Sequence, residues 1–310
     1  MLMNISKMFG RPVWGSRARL NTLVALVSER LASDQRPAPD HRPTVTYVGN
    51  NRVLVGTRVG DRTIAYYVEA DDRLLSPWFI VTGQFETDLT NYFLRHLNAD
   101  SHCIDVGSNF GYFTCLMARY CPDGRVLGVE PDQKIADLAR DNLFINGLYG
   151  SADVICAAAS DSTAGLTLYR RTSRSGNTSI VNVGTALTTA LCEPPAEPFT
   201  VASTRIDDLG DRMQGRVNFI KIDVEGAEPL VLAGARDTIR RNRDISIVME
   251  WSPGQIQAAG FDLHRFSREI ADLGLRCFTL DRHSERPIEL GRLPTMPYQA
   301  GILLRRSDGC

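Results

Sequence analysis

One run constrains the fold of this chain more than any other: Cys103-Ile104-Asp105-Val106-Gly107-Ser108-Asn109-Phe110-Gly111. It starts as a short apolar strand and breaks into glycines. Tyr112-Phe113-Thr114-Cys115-Leu116-Met117-Ala118-Arg119 then follows with helical character. Strand, tight turn and helix in that order open a parallel α/β sheet. Glycines there let backbone approach a ligand, and the helix start offers N–H groups without intrahelical partners. A second apolar run, Val126-Leu127-Gly128-Val129, ends in Glu130, about 20 residues past Gly111, where a second-strand carboxylate meets a ribose in such folds.

The turn departs from a dinucleotide cradle. That cradle reads G-x-G-x-x-G, whereas here Asn109 stands between Gly107 and Gly111 and Tyr112 falls near the place of the third glycine. Asp105, two residues before the turn, would repel a pyrophosphate and welcome a cation. S-adenosylmethionine has these properties: a sulfonium, an ammonium, a ribose diol and no phosphate. The competing readings are a nucleotide-binding oxidoreductase on the same sheet and a non-catalytic binding module.

Further along, Asn218-Phe219-Ile220-Lys221-Ile222-Asp223-Val224-Glu225-Gly226-Ala227-Glu228 reads as a buried strand ending in carboxylates. Ile245-Ser246-Ile247-Val248-Met249-Glu250 reads as the next. Ligands of open α/β sheets bind outside the carboxyl ends of the strands. Asp105, Glu130, Asp223 and Glu250 are therefore expected at one edge. A carboxylate there can hold an amine, act as a general base or bind a metal. Glu86, at the start of a helix that feeds the glycine strand, is expected to face the same pocket. The small residues closing Val154-Ile155-Cys156-Ala157-Ala158-Ala159 leave room for a flat ring beside Ala158.

The other segments read as follows. Leu20 to Leu31 is an amphipathic stretch within 13–31. It packs on the domain or on a second copy of the chain, which leaves a homo-oligomer open, ahead of a membrane-surface role. Residues 33–43 carry Pro37, Pro39 and Pro43 and read as a linker. Three β-rich runs between Thr44 and Glu69, with Gly49-Asn50-Asn51 and Gly60-Asp61 between them, form a small meander. The expected divisions are 1–43 for helix and linker, 44–82 for the meander and 83–310 for the sheet domain. Leu166–Tyr169 and Phe199–Thr204 pair around a long loop in which Arg170, Arg171, Arg174, Asn177 and Thr178 could meet a polar or anionic acceptor. Seven cysteines, without a C-x-x-C pair, argue against zinc and for a reducing compartment. The net charge of −1 gives no pull toward nucleic acid. No apolar run reaches the ~20 residues of a membrane span, so no transmembrane segment and a cytoplasmic location are expected.

Taken together, these runs resemble the FkbM-type family of S-adenosylmethionine-dependent methyltransferases. The resemblance rests on Ile104–Thr114, Val129-Glu130-Pro131, Asn142–Leu148, Ala159-Ser160-Asp161 and, above all, Phe219–Glu228. It implies a Rossmann-like class I methyltransferase: α/β, with seven strands in a mostly parallel sheet and the last strand antiparallel. It also implies O-methylation of a small-molecule acceptor, a glycosyl or polyketide hydroxyl. For the cofactor, S-adenosyl-L-methionine, the resemblance implies Asp105, Gly107, Asn109, Gly111, Glu130 and Asp223, and the residues beside them add Glu86, Ser108 (where the family usually has alanine), Pro131 and Ala158 as candidates. Asp223, Glu250 and Glu225 are the candidate catalytic groups, with His283 a weaker one. No metal is assigned.

Overall fold

The computed structural model describes residues 42–182, 184, 188–189, 192–280 and 284–306. The expected helix within 13–31, most of the linker expected over 33–43, and His283 lie outside the described residues.

The chain opens with β1 (Thr44–Gly49), β2 (Arg52–Val59) and β3 (Arg62–Glu69), an antiparallel meander in that order. Asn50 and Asn51 sit at φ 48° and 60°, the left-handed pair that a two-residue hairpin needs. Strand β2 alternates buried and half-buried positions, with Val53, Val55 and Val59 inward, as one covered face requires. Two helices follow, α1 (Leu75–Thr82) and α2 (Thr87–His96).

The main sheet is built from β4 (Cys103–Val106), β5 (Val126–Glu130), β6 (Ala152–Cys156), β11 (Phe219–Ile222), β12 (Ser246–Trp251), β13 (Leu275–Leu280), β14 (Glu285–Ile288) and β15 (Gln299–Arg306). Its spatial order is β14-β13-β15-β12-β11-β4-β5-β6. Strands β6, β5, β4, β11 and β12 run parallel, and β15 is antiparallel to both β12 and β13. This is the class I methyltransferase sheet, with the late strand inserted antiparallel as expected. One further strand, β14, extends the edge through a hairpin with β13. In the sequence between β6 and β11, β7 (Ala158–Ala159) pairs with β10 (Ser203–Thr204), and β8 (Leu166–Arg170) pairs with β9 (Glu197–Val201).

Every residue of β4 and β5 is buried, so each strand must serve two cores. Cys103 and Val126 face a core shared with the meander, α2, α3 (Tyr112–Tyr120) and α4 (Gln133–Ile145). Ile104, Val106, Leu127 and Val129 face the opposite core, with α5 (Glu228–Ala233), α6 (Arg236–Arg241), α7 (Pro253–Ala258) and α8 (Leu263–Asp272). Helix α8 shows the logic locally. Asp262 caps it by accepting from the Arg265 N–H at 2.6 Å, and Leu263, Phe266 and Ile270 are buried at helical spacing. Burying one such side chain contributes about 1.5–3 kcal/mol.

The meander is joined to the first core by two asparagines, Asn142 on α4 and Asn146 at its C-terminal cap. Asn142 accepts from the Tyr67 N–H at 2.6 Å and donates to the Tyr67 carbonyl at 2.9 Å. Asn146 does the same with Ala65, at 3.0 and 2.6 Å. These amides complete the free edge of β3 as a neighbouring strand would.

Candidate functional site

The glycine turn lies where β4 meets α3. Gly107 has φ +75°, and a Cβ there would stand 1.8 Å from the Asp223 carbonyl oxygen, so no side chain fits. Gly111, at φ +81°, brings α3 within contact distance of Ala139 on α4. All five N–H groups of the turn are used inside the protein. Those of Gly107 and Ser108 donate to the Val129 carbonyl, and that of Gly111 to the Ser108 carbonyl. The Asn109 N–H donates to Glu130 Oε2 at 3.0 Å, and the Phe110 N–H to Asn109 Oδ1 at 2.7 Å. The turn therefore offers shape rather than hydrogen-bond donors, which a pyrophosphate would require.

Above it opens a cavity of about 680 Å³, within the range of roughly 300–1,000 Å³ usual for small-molecule sites. Of the residues singled out in the sequence, Glu86, Gly107, Ser108, Asn109, Glu130, Pro131, Ala158, Asp223, Glu225 and Glu250 line it. Asp105 and Gly111 do not. Register explains Asp105. It is paired across the sheet with Lys221 on β11, and its side chain lies on the α3 face rather than at the strand end. Asp105 Oδ2 accepts from the Thr114 hydroxyl at 2.6 Å, and Oδ1 stands 4.0 Å from Lys221 Nζ. From there it is the partner of Lys221, and its charge also adds to the upward push on Glu86 and Glu130 at the cavity wall.

Lys221 is buried between two carboxylates, 3.2 Å from Asp223 and 4.0 Å from Asp105, with its ammonium 5.1 Å from the centre of the Phe113 ring. Burial opposes its charge, but Asp223, Asp105 and Glu86 together hold its pKa above the ordinary lysine value. The glutamates of the cavity also move up, which for a carboxyl favours the neutral form. Burial pushes Glu86 and Glu225 up to about 8 and Glu130 to about 7. Glu250 is raised well above the usual carboxylate range by burial, with Asp223 and Glu225 adding repulsion.

Several carboxyl oxygens are left without partners. Glu86 Oε2 and Glu250 Oε2 are buried and unpaired, and the Tyr298 side chain hydrogen-bonds Glu250. Glu130 accepts one N–H on each oxygen, from Asn109 and Asp132, each at 3.0 Å, which leaves lone pairs for a diol. Buried carboxylates of this kind, around a turn with no free donor, fit a cationic phosphate-free ligand such as S-adenosylmethionine.

Glu225 is arranged differently. It sits at φ +54°, an unfavourable backbone for glutamate. Its Oε1 accepts from Asn177 Nδ2 at 3.2 Å, its Oε2 accepts from Gln255, and its carbonyl accepts from the Ser179 hydroxyl at 2.7 Å. Both carboxyl oxygens are thus occupied in tying a strap, residues 171–180, to α7. The strap is fixed at its other end by Asp72, which accepts from the Ser175 N–H at 2.8 Å and its hydroxyl at 2.9 Å. The loop arginines are paired internally: Arg170 with Asp132, and Arg171 and Arg174 both with the buried Glu193. They are not presented to an anionic acceptor.

Asn177 and Thr178, named in the sequence with the loop arginines, line the cavity; Lys221, Trp78, Gln255 and Tyr298 also line it and were not singled out in the sequence. Lys221 carried a signal, a charge within an otherwise apolar strand. The others come from distant segments and carried none. Among the described residues no group of three or more His, Cys, Asp or Glu is arranged to hold a metal ion, and no helix is long and apolar enough to cross a membrane.

Comparison with known proteins agrees with this geometry. Methyltransferase sdnD of Sordaria araneosa is 27% identical over 209 residues, covering 58% of this chain and 81% of its own. Methyltransferase 1 of Beauveria bassiana is 28% identical over 150 residues, covering 44% and 59% respectively. Among solved structures, the O-methyltransferase TomG from Streptomyces achromogenes, in complex with SAM, aligns with a TM-score of 0.38 at 13% identity over 70% of this chain and 78% of that one. That likeness has no bearing on function. The sequence profile described as the Methyltransferase FkbM domain matches residues 105–277, more than half of the chain. With that match, a sheet of the class I order and a cavity of buried acids, the chain belongs to the FkbM methyltransferase family and is an S-adenosylmethionine-dependent methyltransferase.

Proposed function

We propose that the protein transfers a methyl group to a hydroxyl oxygen of a small metabolite, a glycosyl or polyketide natural product. The supporting observation is the placement of Asp223. It lines the cavity at the end of β11, half-buried, with Lys221 as its counter-ion. Bound S-adenosylmethionine supplies the electrophilic methyl group on its sulfonium. Glu86, Glu130, Asn109, Pro131 and Ala158 surround the space in which this cofactor would be held. Within that frame, the residues of the chain position an acceptor in line and take up its proton.

Asp223 is assigned the proton. Glu250, raised well above the usual carboxylate range by burial, lines the same cavity and is the second candidate to meet the acceptor hydroxyl. Glu225 positions the strap.

The test is turnover with a methyl-labelled cofactor and a metabolite extract, comparing the natural chain with Asp223→Asn and Glu250→Gln. Asp223→Asn is expected to cost on the order of 10²–10⁴-fold in rate while S-adenosylhomocysteine still binds. Full turnover in both variants would remove the assignment.

A further inference from the structure

One side of the cavity, here termed the α1 compartment, is lined by residues from α1 and the strap, and its chemistry separates the two acceptor classes named above. Leu74, Leu75, Pro77, Trp78, Phe85 and Ile180 line this part of the wall. Leu75 meets the strap directly, since a Cβ on Gly176 would stand 2.8 Å from its Cδ1. Trp78 is 43% exposed although it lines the cavity, which places a flat apolar surface at the rim. Elsewhere on α1, Pro77, Phe79 and Ile80 are buried, so the exposure of Trp78 is not a property of the whole helix.

Most of the polar groups reaching the compartment are already engaged. The Ser175 hydroxyl donates to Asp72 at 2.9 Å, the Asn177 amide nitrogen and Gln255 serve Glu225, and Arg73 donates to the Cys192 carbonyl at 3.2 Å. Among the described residues, the unpartnered buried side-chain oxygens of the cavity lining are Asn177 Oδ1, Glu86 Oε2, Glu250 Oε2 and, on the glycine turn, Ser108 Oγ. So few atoms suit one or two hydroxyls. A polyol entering here would bury further hydroxyls against leucine, proline and tryptophan without compensation. An anionic acceptor would meet four carboxyl groups, from Glu86, Asp223, Glu225 and Glu250, while Lys221 is held between Asp223 and Asp105, Arg170 by Asp132, and the strap's Arg171 and Arg174 by Glu193.

We infer that the acceptor is an uncharged, largely apolar ring scaffold that presents a single hydroxyl to the acids and lays its ring face on Trp78 and Leu75, rather than a sugar. This rests on the methyltransferase reading above and selects within it. Trp78 is the specificity-determining residue, since it offers the widest apolar face to a ligand in this compartment.

Calorimetry on the full chain tests this in two stages. S-adenosylhomocysteine is titrated first; failure to bind would overturn the methyltransferase reading itself. The saturated protein is then titrated with cyclohexanol, decahydro-2-naphthol, a steroid alcohol and methyl β-D-glucopyranoside. At least one fused-ring alcohol is expected to bind at least tenfold tighter than the glucoside, with a negative heat-capacity change. Trp78→Ala is expected to weaken that binding at least tenfold and to leave S-adenosylhomocysteine affinity within twofold. Preference for the glucoside, absence of binding by every apolar alcohol, or unchanged binding in Trp78→Ala would each overturn the inference.

Discussion

Lys221 Nζ lies 3.2 Å from the Asp223 carboxylate and, on its other side, 4.0 Å from Asp105, so one buried ammonium serves both the strand end and the sheet interior. Asp105 has no other charged partner within ion-pair distance among the described residues. Lys221→Met therefore strands a buried carboxylate. The expected loss is about 3–5 kcal/mol in urea denaturation, the range for breaking one side of a buried pair. Adding Asp105→Asn to Lys221→Met should recover part of it. If the double variant is no more stable than Lys221→Met, the coupling is absent.

The empty protein should lose stability as pH rises. Glu86 and Glu225 move from 4.5 up to about 8 on folding, through burial. Between those values the folded state keeps protons that the unfolded state has released, so the slope of stability against pH is negative. Their contribution is fully present below 4.5 and is lost as pH rises through about 8. Lys221, raised above its value of 10.5, stays charged across this window in both states and adds no slope. Glu86→Gln should flatten the curve, as read from thermal unfolding at intervals between these limits.

Gly107→Ala should abolish cofactor binding and destabilise the fold. The added carbon meets the Asp223 carbonyl oxygen at 1.8 Å on a backbone with φ +75°. Strain and overpacking together suggest at least about 2 kcal/mol. The checks are chemical denaturation and the thermal shift with S-adenosylhomocysteine, which should vanish.

Glu193→Gln should loosen the strap. Its carboxylate is the shared partner of Arg171 and Arg174. Hydrogen exchange over residues 171–180 is expected to speed about tenfold, equivalent to roughly 1.4 kcal/mol of local opening, with β4 and β11 unchanged. Equal acceleration throughout would mean that Glu193 supports global stability instead.

Much of the sheet was legible because its signals are local. The break from Val106 into Gly107 and the apolar strand before Asp223 each sit within a few residues of the structure they specify. Helix α1 was not legible: Leu-Ser-Pro-Trp-Phe-Ile-Val-Thr is apolar nearly all round, so it has no polar face to set a period. The fates of the loop arginines were hidden for another reason. Arg170 pairs 38 residues back with Asp132, and Arg171 pairs 22 residues ahead with Glu193. No spacing rule reaches so far. Asp105 was placed at the right strand, but only the cross-strand register with Lys221 shows that its charge is already matched.

The paired amides of Asn142 and Asn146 against Tyr67 and Ala65 have a consequence for transplantation. The meander is not a module to be swapped at its flanking loops. A chimera that imports a foreign hairpin must import its matching helix positions as well, or it will leave a raw β border open to a neighbouring molecule.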